Sequence, residues 1–333
     1  MLSTEKIRGL VLEEIILVLL GKAGYRILTK QDDPLIFRNG NAGLEVQGRG
    51  EWHQIDALVG YDHTPAFLFP IRLGVEAKAY FPTNKSKRKV GIETIRNAVG
   101  VVKDINENYS SFFSKPSHEL KLKRYNYVYA IFSLSGFTEP AQRYAVAHQI
   151  YLIQYYHNHL FNGIKDILRK LQGQSALEKQ QSAIRQALRD FFRSPDNYYH
   201  ELPNIFGNEI ELIEELLKEI NHIGGSYFGL LNGEYPIHIL SKNPITDIAD
   251  KDEYKANIVV NENGEMTIDL MDSELCFDLP EVVGQILKEV WRNDENVAEF
   301  ERRNKYFINL SGIIGGMRRD IKIEFEYPFP SRG

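Results

Sequence analysis

Residues 53–80 read HQIDALVG, YDHTPAFLFP, IRLGVEAKAY, and they decide the fold. The outer pieces are apolar and rich in β-formers, while the middle carries turn residues and two prolines. The stretch therefore predicts two strands joined by a turn and able to pair antiparallel. Side chains alternate along a strand. Ile71, Leu73, Val75 and Ala77 share one face, and Arg72, Gly74, Glu76 and Lys78 share the other. In the first strand Gln54, Asp56 and Leu58 point one way, and His53, Ile55, Ala57 and Val59 the other. Antiparallel pairing would then bring Asp56 beside Glu76.

An acid on one strand facing Glu-x-Lys on the next is a set that phosphodiester hydrolysis can use. Mg²⁺ takes oxygen ligands and keeps several waters, so two carboxylates can hold it, helped by a backbone carbonyl near Ala77. The cation polarises the scissile phosphate and acidifies a bound water. Lys78 could orient or deprotonate that water, or stabilise charge on the phosphoryl oxygens. The competing reading is an ordinary salt bridge on a solvated sheet face, because D…ExK is short and arises by chance.

Working outward, residues 5–20 predict a helix with an apolar face interrupted by Glu13 and Glu14, ending at Gly21 or Gly24 before a strand. Residues 91–106 predict a second helix with Ile92, Ile95, Val99, Val102 and Ile105 on one face. YVYAIFS (127–133) is a strand. Thr138 is an N-cap and Pro140 a first-turn residue for the next helix, and IYLIQ (150–154) is a buried strand. The order is α-β-β-β-α-β-α-β.

This ordered series resembles the restriction-endonuclease-like superfamily, the PD-(D/E)XK nucleases, and is most similar to its Mrr-type branch. The resemblance rests on LEEIILVLLGKAGY, GRGEWHQIDALV, PIRLGVEAKAY, VGIETIRNAVGVVKDI and AIFSLSGFTEPAQRYAVAHQIYLI, within residues 5–155. It implies an α/β domain with a mixed four-stranded central sheet flanked by helices, and Mg-dependent hydrolysis of DNA, with Mn²⁺ as a substitute. By the motif match, Asp56 and Glu76 bind metal and Lys78 is the catalytic lysine. A first-helix glutamate often reaches the site in this family. Glu13 fits best and Glu14 is next, against the alternative that either is a solvated helix charge. Ile55 stands where some members have proline, which leaves the carboxylate in place. The resemblance also implies restriction or anti-phage defence, and a homodimer, since duplex cleavage needs two cuts. The alternative is an inactive nuclease-fold module that binds DNA or regulates a partner.

Gln54 shares the Asp56 face and could touch a phosphate or a water, or be a plain sheet-face amide. Lys85, Lys87, Arg88 and Lys89 form a basic loop after the second strand, which either meets a phosphate backbone or is simply solvated. Ser133 and Ser135 could approach substrate, although turn chemistry explains them equally well. His157 and His159 lack partners at a zinc spacing and read as surface residues. No P-loop or GxSxG elbow is present, and the single cysteine, Cys276, excludes an internal disulfide and fits a reducing compartment.

The net charge of −5 conceals an asymmetry. Residues 1–165 hold 21 Lys+Arg against 15 Asp+Glu, a net +6, and the remainder holds 19 against 30, a net −11. The basic excess lies where DNA is expected. No run approaches the ~20 apolar residues of a membrane helix, so a cytoplasmic protein is expected. Residues 1–162 read as the nuclease domain, 163–205 as a polar helical connector, and 206–333 as an α+β domain that could dock a partner protein. The α+β domain is predicted to hold a pair of hairpins on Asn-Gly turns, with helix 280–291, a segment at 294–304, and a closing strand. The glycine-rich GIIGGMRRD reads as a turn or packing site.

Overall fold

Helix α1 (Thr4–Lys22) buries eleven residues, among them Ile7, Leu10, Val11, Leu12, Ile15, Ile16, Leu17, Leu19 and Leu20. A helix apolar on every side belongs inside a core. Each of these nine side chains contributes roughly 1.5–3 kcal/mol on burial, enough together to carry two carboxylates, Glu13 and Glu14, inward with them. Ser3 caps the N-terminus through the Lys6 N–H. The C-terminus closes where Gly24 takes φ +89° and the Tyr25 N–H reaches Leu20 O.

The computed structural model describes residues 2–40, 43–62, 68–81, 88–115, 118–122, 124–195, 201–246, 251–261, 264–285 and 307–325. After α1 come β1 (Arg26–Ile27), β2 (Phe37–Asn39), β3 (Leu44–Gln47), β4 (Trp52–Ile55), β5 (Ala57–Tyr61) and β6 (Ile71–Lys78). Next are α2 (Ile92–Asn106), β7 (Ser110–Lys115), β8 (His118–Leu122), β9 (Asn126–Ser133), α3 (Glu139–Ala147) and β10 (Ile150–Gln154). The central sheet has the order β1-β5-β6-β9-β10. It is mixed, with β1, β5 and β6 antiparallel and β6, β9 and β10 parallel. It has five strands, not four, because Arg26–Ile27 adds to the edge of β5. Strands β2, β3 and β4 form a separate three-stranded sheet that the sequence pattern does not predict.

Helix α1 packs on one side of the central sheet, against Leu73, Val75 and Ala77 of β6. On the other, α2 and α3 cover Tyr129, Ile131, Ile150 and Leu152. Then follow α4 (Asn162–Lys170), α5 (Gln181–Arg193), α6 (Leu202–Phe206) and α7 (Ile210–His222). These are no connector. Ile164, Leu168, Ile184, Leu188, Phe191, Leu202, Phe206, Ile213 and Leu216 join α1 in one continuous core. The apolar stripes of α4 and α5 are narrow, so the segment reads as polar, yet each stripe is fully used.

The second sheet contains β11 (Gly225–Leu231), β12 (Tyr235–Ser241), β13 (Glu253–Ala256), β14 (Ile258–Val260), β15 (Met266–Leu270), β16 (Ser273–Phe277), β17 (Phe307–Ile314) and β18 (Met317–Phe325). Its order is β13-β18-β17-β11-β12-β16-β15-β14. The predicted β11–β12 hairpin turns at Asn232-Gly233, both with positive φ as a type I′ turn requires. The second predicted hairpin is β14–β15, and its turn residues 262–263 lie outside the described residues. Gly315-Gly316 turns β17 into β18, which settles the glycine-rich segment as a turn. Residues 286–306, with the rest of helix 280–291 and the 294–304 segment, also lie outside them. The sheets meet through a buried relay. His238 bonds Tyr155 at 2.6 Å and Ser226 at 2.8 Å, and the Ser226 hydroxyl donates to Leu19 O. Among the described residues no helix is long and apolar enough to cross a membrane.

The packing makes a prediction. Leu188→Ala should cost about 2–4 kcal/mol in urea unfolding, as a core cavity does. A change within about 0.5 kcal/mol, as at an exposed site, would return α5 to the role of a connector.

Candidate active site

In the β5–β6 ladder Ala57 stands opposite Val75 and Leu58 opposite Gly74, so the next step of the register sets Asp56 against Glu76. Asp56 sits at a hand-over. The chain leaves the three-stranded sheet at Ile55 and enters the central sheet at Ala57. The alternation predicted for 53–59 as one strand is therefore broken at Asp56, where the strand changes sheets. That break opens a cavity of about 420 Å³. Glu13, Gln54, Asp56, Glu76 and Lys78 all line it, with Tyr129 and Arg88.

Lys78 Nζ lies 2.6 Å from Glu76 Oε1. The Tyr129 hydroxyl donates to Glu76 Oε2 at 3.3 Å. Gly74 makes this possible, because a Cβ there would come within 2.8 Å of the Tyr129 ring. The Glu76 side chain is 12 % exposed, so the pair is part of a cavity wall and not a solvated sheet face. Burial works to lower the Lys78 pKa, but Glu76 and then Asp56 outweigh it and hold the ammonium above its usual value. Lys78 is thus held in its ammonium form.

Glu13 is met by a residue from far along the chain. Arg185 on α5 donates to Glu13 Oε2 from Nη2 at 2.5 Å and from Nε at 3.0 Å, and Nη2 lies 3.6 Å from Asp56 Oδ1. Burial, and then Asp56, pushes the Glu13 carboxyl up to about 8, against the pull of Arg185. Arg185 Nη1 is buried and finds no hydrogen-bond partner among the described residues. Arg185 lines a second cavity of about 480 Å³, with Lys30, Asp56 and Arg189, that meets the first at Asp56.

Glu14 is not brought to this site. Arg189, one turn after Arg185, takes it in a two-pronged pair at 2.7 and 2.9 Å. Gln54 is an exposed residue of β4 on the cavity wall. Arg88 lies on the rim, paired with Glu5 and over the Tyr80 ring. Lys89 turns away to Glu281 at 3.4 Å. Lys85 and Lys87 lie outside the described residues. The Ser133 hydroxyl donates to Gly136 O, so it closes a turn away from the cavity, and Ser135 accompanies it there. His159 is a surface residue, as the sequence reads it, but it does not stand alone. Its Nδ1 lies 2.8 Å from the buried Glu265 carboxylate, which comes from the second sheet. Sequence reasoning missed Arg185 and Tyr129. An arginine four residues before another, on a helix otherwise apolar on that side, was the available signal.

No family model matches the chain, and no curated protein matches it. The crystal structure of the protein of unknown function AF1548 is similar at a TM-score of 0.35 and 17 % identity, covering 63 % of this chain and 97 % of that one. A likeness at that level carries no argument about fold or activity.

Two outcomes follow. Arg185→Ala leaves Glu13 buried without its hydrogen-bond partner and protonated, so it should cost about 1–3 kcal/mol at pH 5 and more at pH 9.5, above about 8, where only the wild type carries the Glu13 anion. A cost below about 1 kcal/mol at both pH values would remove the pair from the core. Because the folded pKa of Glu13 stands above its ordinary 4.5, its stabilising protonation is complete below that value and lost as pH rises through about 8. The stability of the wild type relative to Glu13→Gln should therefore fall from pH 5 to pH 8 in chemical unfolding. A difference that stays flat or rises contradicts the assignment.

Proposed function

We propose that this chain is a metal-dependent endonuclease that hydrolyses DNA phosphodiester bonds, with the restriction-endonuclease-like PD-(D/E)XK arrangement in its N-terminal half. The observation that carries the reading is the convergence of Glu13, Asp56, Glu76 and Lys78 on one cavity, from α1, the β4–β5 hand-over and β6. The sheet order β5-β6-β9-β10, antiparallel then parallel, with helices on both faces, supports it as well.

The donors fit a hard divalent cation. Asp56 and Glu76 offer carboxylate oxygens with no sulfur or imidazole beside them among the described residues, which suits Mg²⁺, with Mn²⁺ as a substitute. When bound, such a cation acts as a Lewis acid and lowers the pKa of coordinated water. The chain's own residues set the stage. Tyr129 and Lys78 fix the two oxygens of Glu76. Lys78, kept protonated, faces charge that develops on the phosphoryl oxygens. Arg185 holds Glu13 and stands beside Asp56, and Lys30 gives the wall of the adjoining cavity a cation for a phosphate backbone. Arg88 on the rim can do the same once it leaves Glu5. A defence role and a homodimer belong to this proposal and rest on the resemblance, while partner docking through the C-terminal domain rests on the domain architecture alone.

The test is incubation with plasmid, linear and single-stranded DNA in Mg²⁺, Mn²⁺ or EDTA. Cutting should need the metal. It should fall at least about 100-fold in Asp56→Asn, Glu76→Gln and Lys78→Ala with the fold intact. Unchanged cutting in the Asp56 or Glu76 variant would sink the metal assignment. Absence of cutting under every condition would favour an inactive module that binds DNA or a partner.

A further inference from the structure

The face of the second sheet that meets the loop after β10 carries an unusual set of side chains. Thr267 pairs with Cys276 and Asp269 with Glu274 across β15 and β16. Strand alternation therefore places Glu265, Asp269, Glu274 and Cys276 on one face. The opposite face, Met266, Ile268, Leu270, Leu275 and Phe277, forms the second core. A face this polar is ordinarily solvated, yet Glu265 is 2 % and Cys276 0 % exposed. The segment 157–159 covers them. The His157 N–H donates to Asp278 and the His159 N–H to Glu265, both at 2.8 Å.

One ligand atom from each of His159, Glu265 and Cys276 lies within 4.8 Å of the others. His159 Nε2 is 3.8 Å from Glu274 Oε1, and Cys276 Sγ is 3.5 Å from the same oxygen. Tetrahedral zinc, with bonds of ~2.0–2.3 Å to nitrogen, sulfur and oxygen, sets its ligand atoms ~3.3–3.8 Å apart. With His159 Nδ1 as the ligand atom, the Cys276–Glu274 separation already has that size, the 2.8 Å between Nδ1 and Glu265 opens on binding, and small movements supply the rest. Imidazole and thiolate favour a borderline transition metal over Mg²⁺. Burying the Glu265 carboxylate beside a thiol is costly unless hydrogen bonds or a cation join it, and its side-chain partners include His159 and Asn261.

We propose that His159, Glu265, Glu274 and Cys276 form a Zn²⁺ site that fastens the loop after β10 to the β15–β16 hairpin. Binding replaces the His159–Glu265 hydrogen bond with two metal bonds and releases the Cys276 thiol proton to solvent. The site is separate from the Asp56 and Glu76 cavity and does not depend on the nuclease reading.

The test uses the full chain stripped with EDTA, titrated with Zn²⁺ against a chromophoric chelator, and separately with Co²⁺ followed by absorbance. One Zn²⁺ per chain should bind with at least about 100-fold weaker affinity in His159→Ala and Cys276→Ser, and unchanged affinity in Asp56→Asn and Glu76→Gln. Co²⁺ should give the intense visible bands of a tetrahedral site and a near-ultraviolet thiolate charge-transfer band, which reads Cys276 in the wild type without any variant. Failure of the wild type to hold Zn²⁺, a Co²⁺ spectrum without the thiolate band, or a spectrum unmoved by His159→Ala would each overturn the proposal. In that event His159 and Glu265 form an ion pair only.

Discussion

The pairing register of β5 with β6 is the constraint on which the rest depends. With Ala57 opposite Val75, the face of β6 that carries Leu73, Val75 and Ala77 meets α1, and the face with Glu76 and Lys78 looks into the cavity. A slip of one residue would exchange those faces. It would put a carboxylate and an ammonium into the α1 core and expose three apolar side chains. The penalty for burying unpaired charge is several kcal/mol per ion, so the register is strongly specified. Because β6 lies between β5 and β9, the same register passes to the parallel strands and fixes where Tyr129 stands beside Glu76.

Helix α1 is the second fixed point, and it explains why the helices after residue 162 belong to the first core. Surrounded on all sides, α1 cannot give Glu13 and Glu14 to water. Arg185 and Arg189, four residues apart and so on one face of α5, answer them in order. Glu13 and Glu14 lie about a quarter-turn apart on α1, and the two arginines separate their roles. The first pair borders Asp56 and the cavity, while the second is structural. A segment that reads as a polar tether thus completes the wall of the candidate site.

Much of this was legible in the sequence. Strand alternation placed Glu76 beside Lys78, and helix periodicity and capping placed α1, α2 and α3 to within a few residues of their observed ends. Asn232-Gly233 marked its hairpin. What escaped shares a physical cause, since it depends on contacts between residues far apart in the chain. The small β2–β3–β4 sheet breaks the strand at Asp56, and nothing in HQIDALVG announces a change of sheet. Arg185 lies 172 positions from Glu13. His159 and Glu265 are 106 apart. Spacing rules for metal ligands read neighbours along the chain, so they pass over a cluster assembled by two halves that fold onto each other. The broad apolar surface of α1 read as one interrupted face because its partners lay beyond the sequence window.

The central claim is that Asp56 and Glu76 hold a divalent cation between them. The most direct measurement is anomalous diffraction from crystals of the full chain soaked in Mn²⁺. The account predicts an anomalous peak within about 2.0–2.4 Å of a carboxylate oxygen of both Asp56 and Glu76. A map with no peak between them, at Mn²⁺ concentrations that saturate any activity, would contradict it.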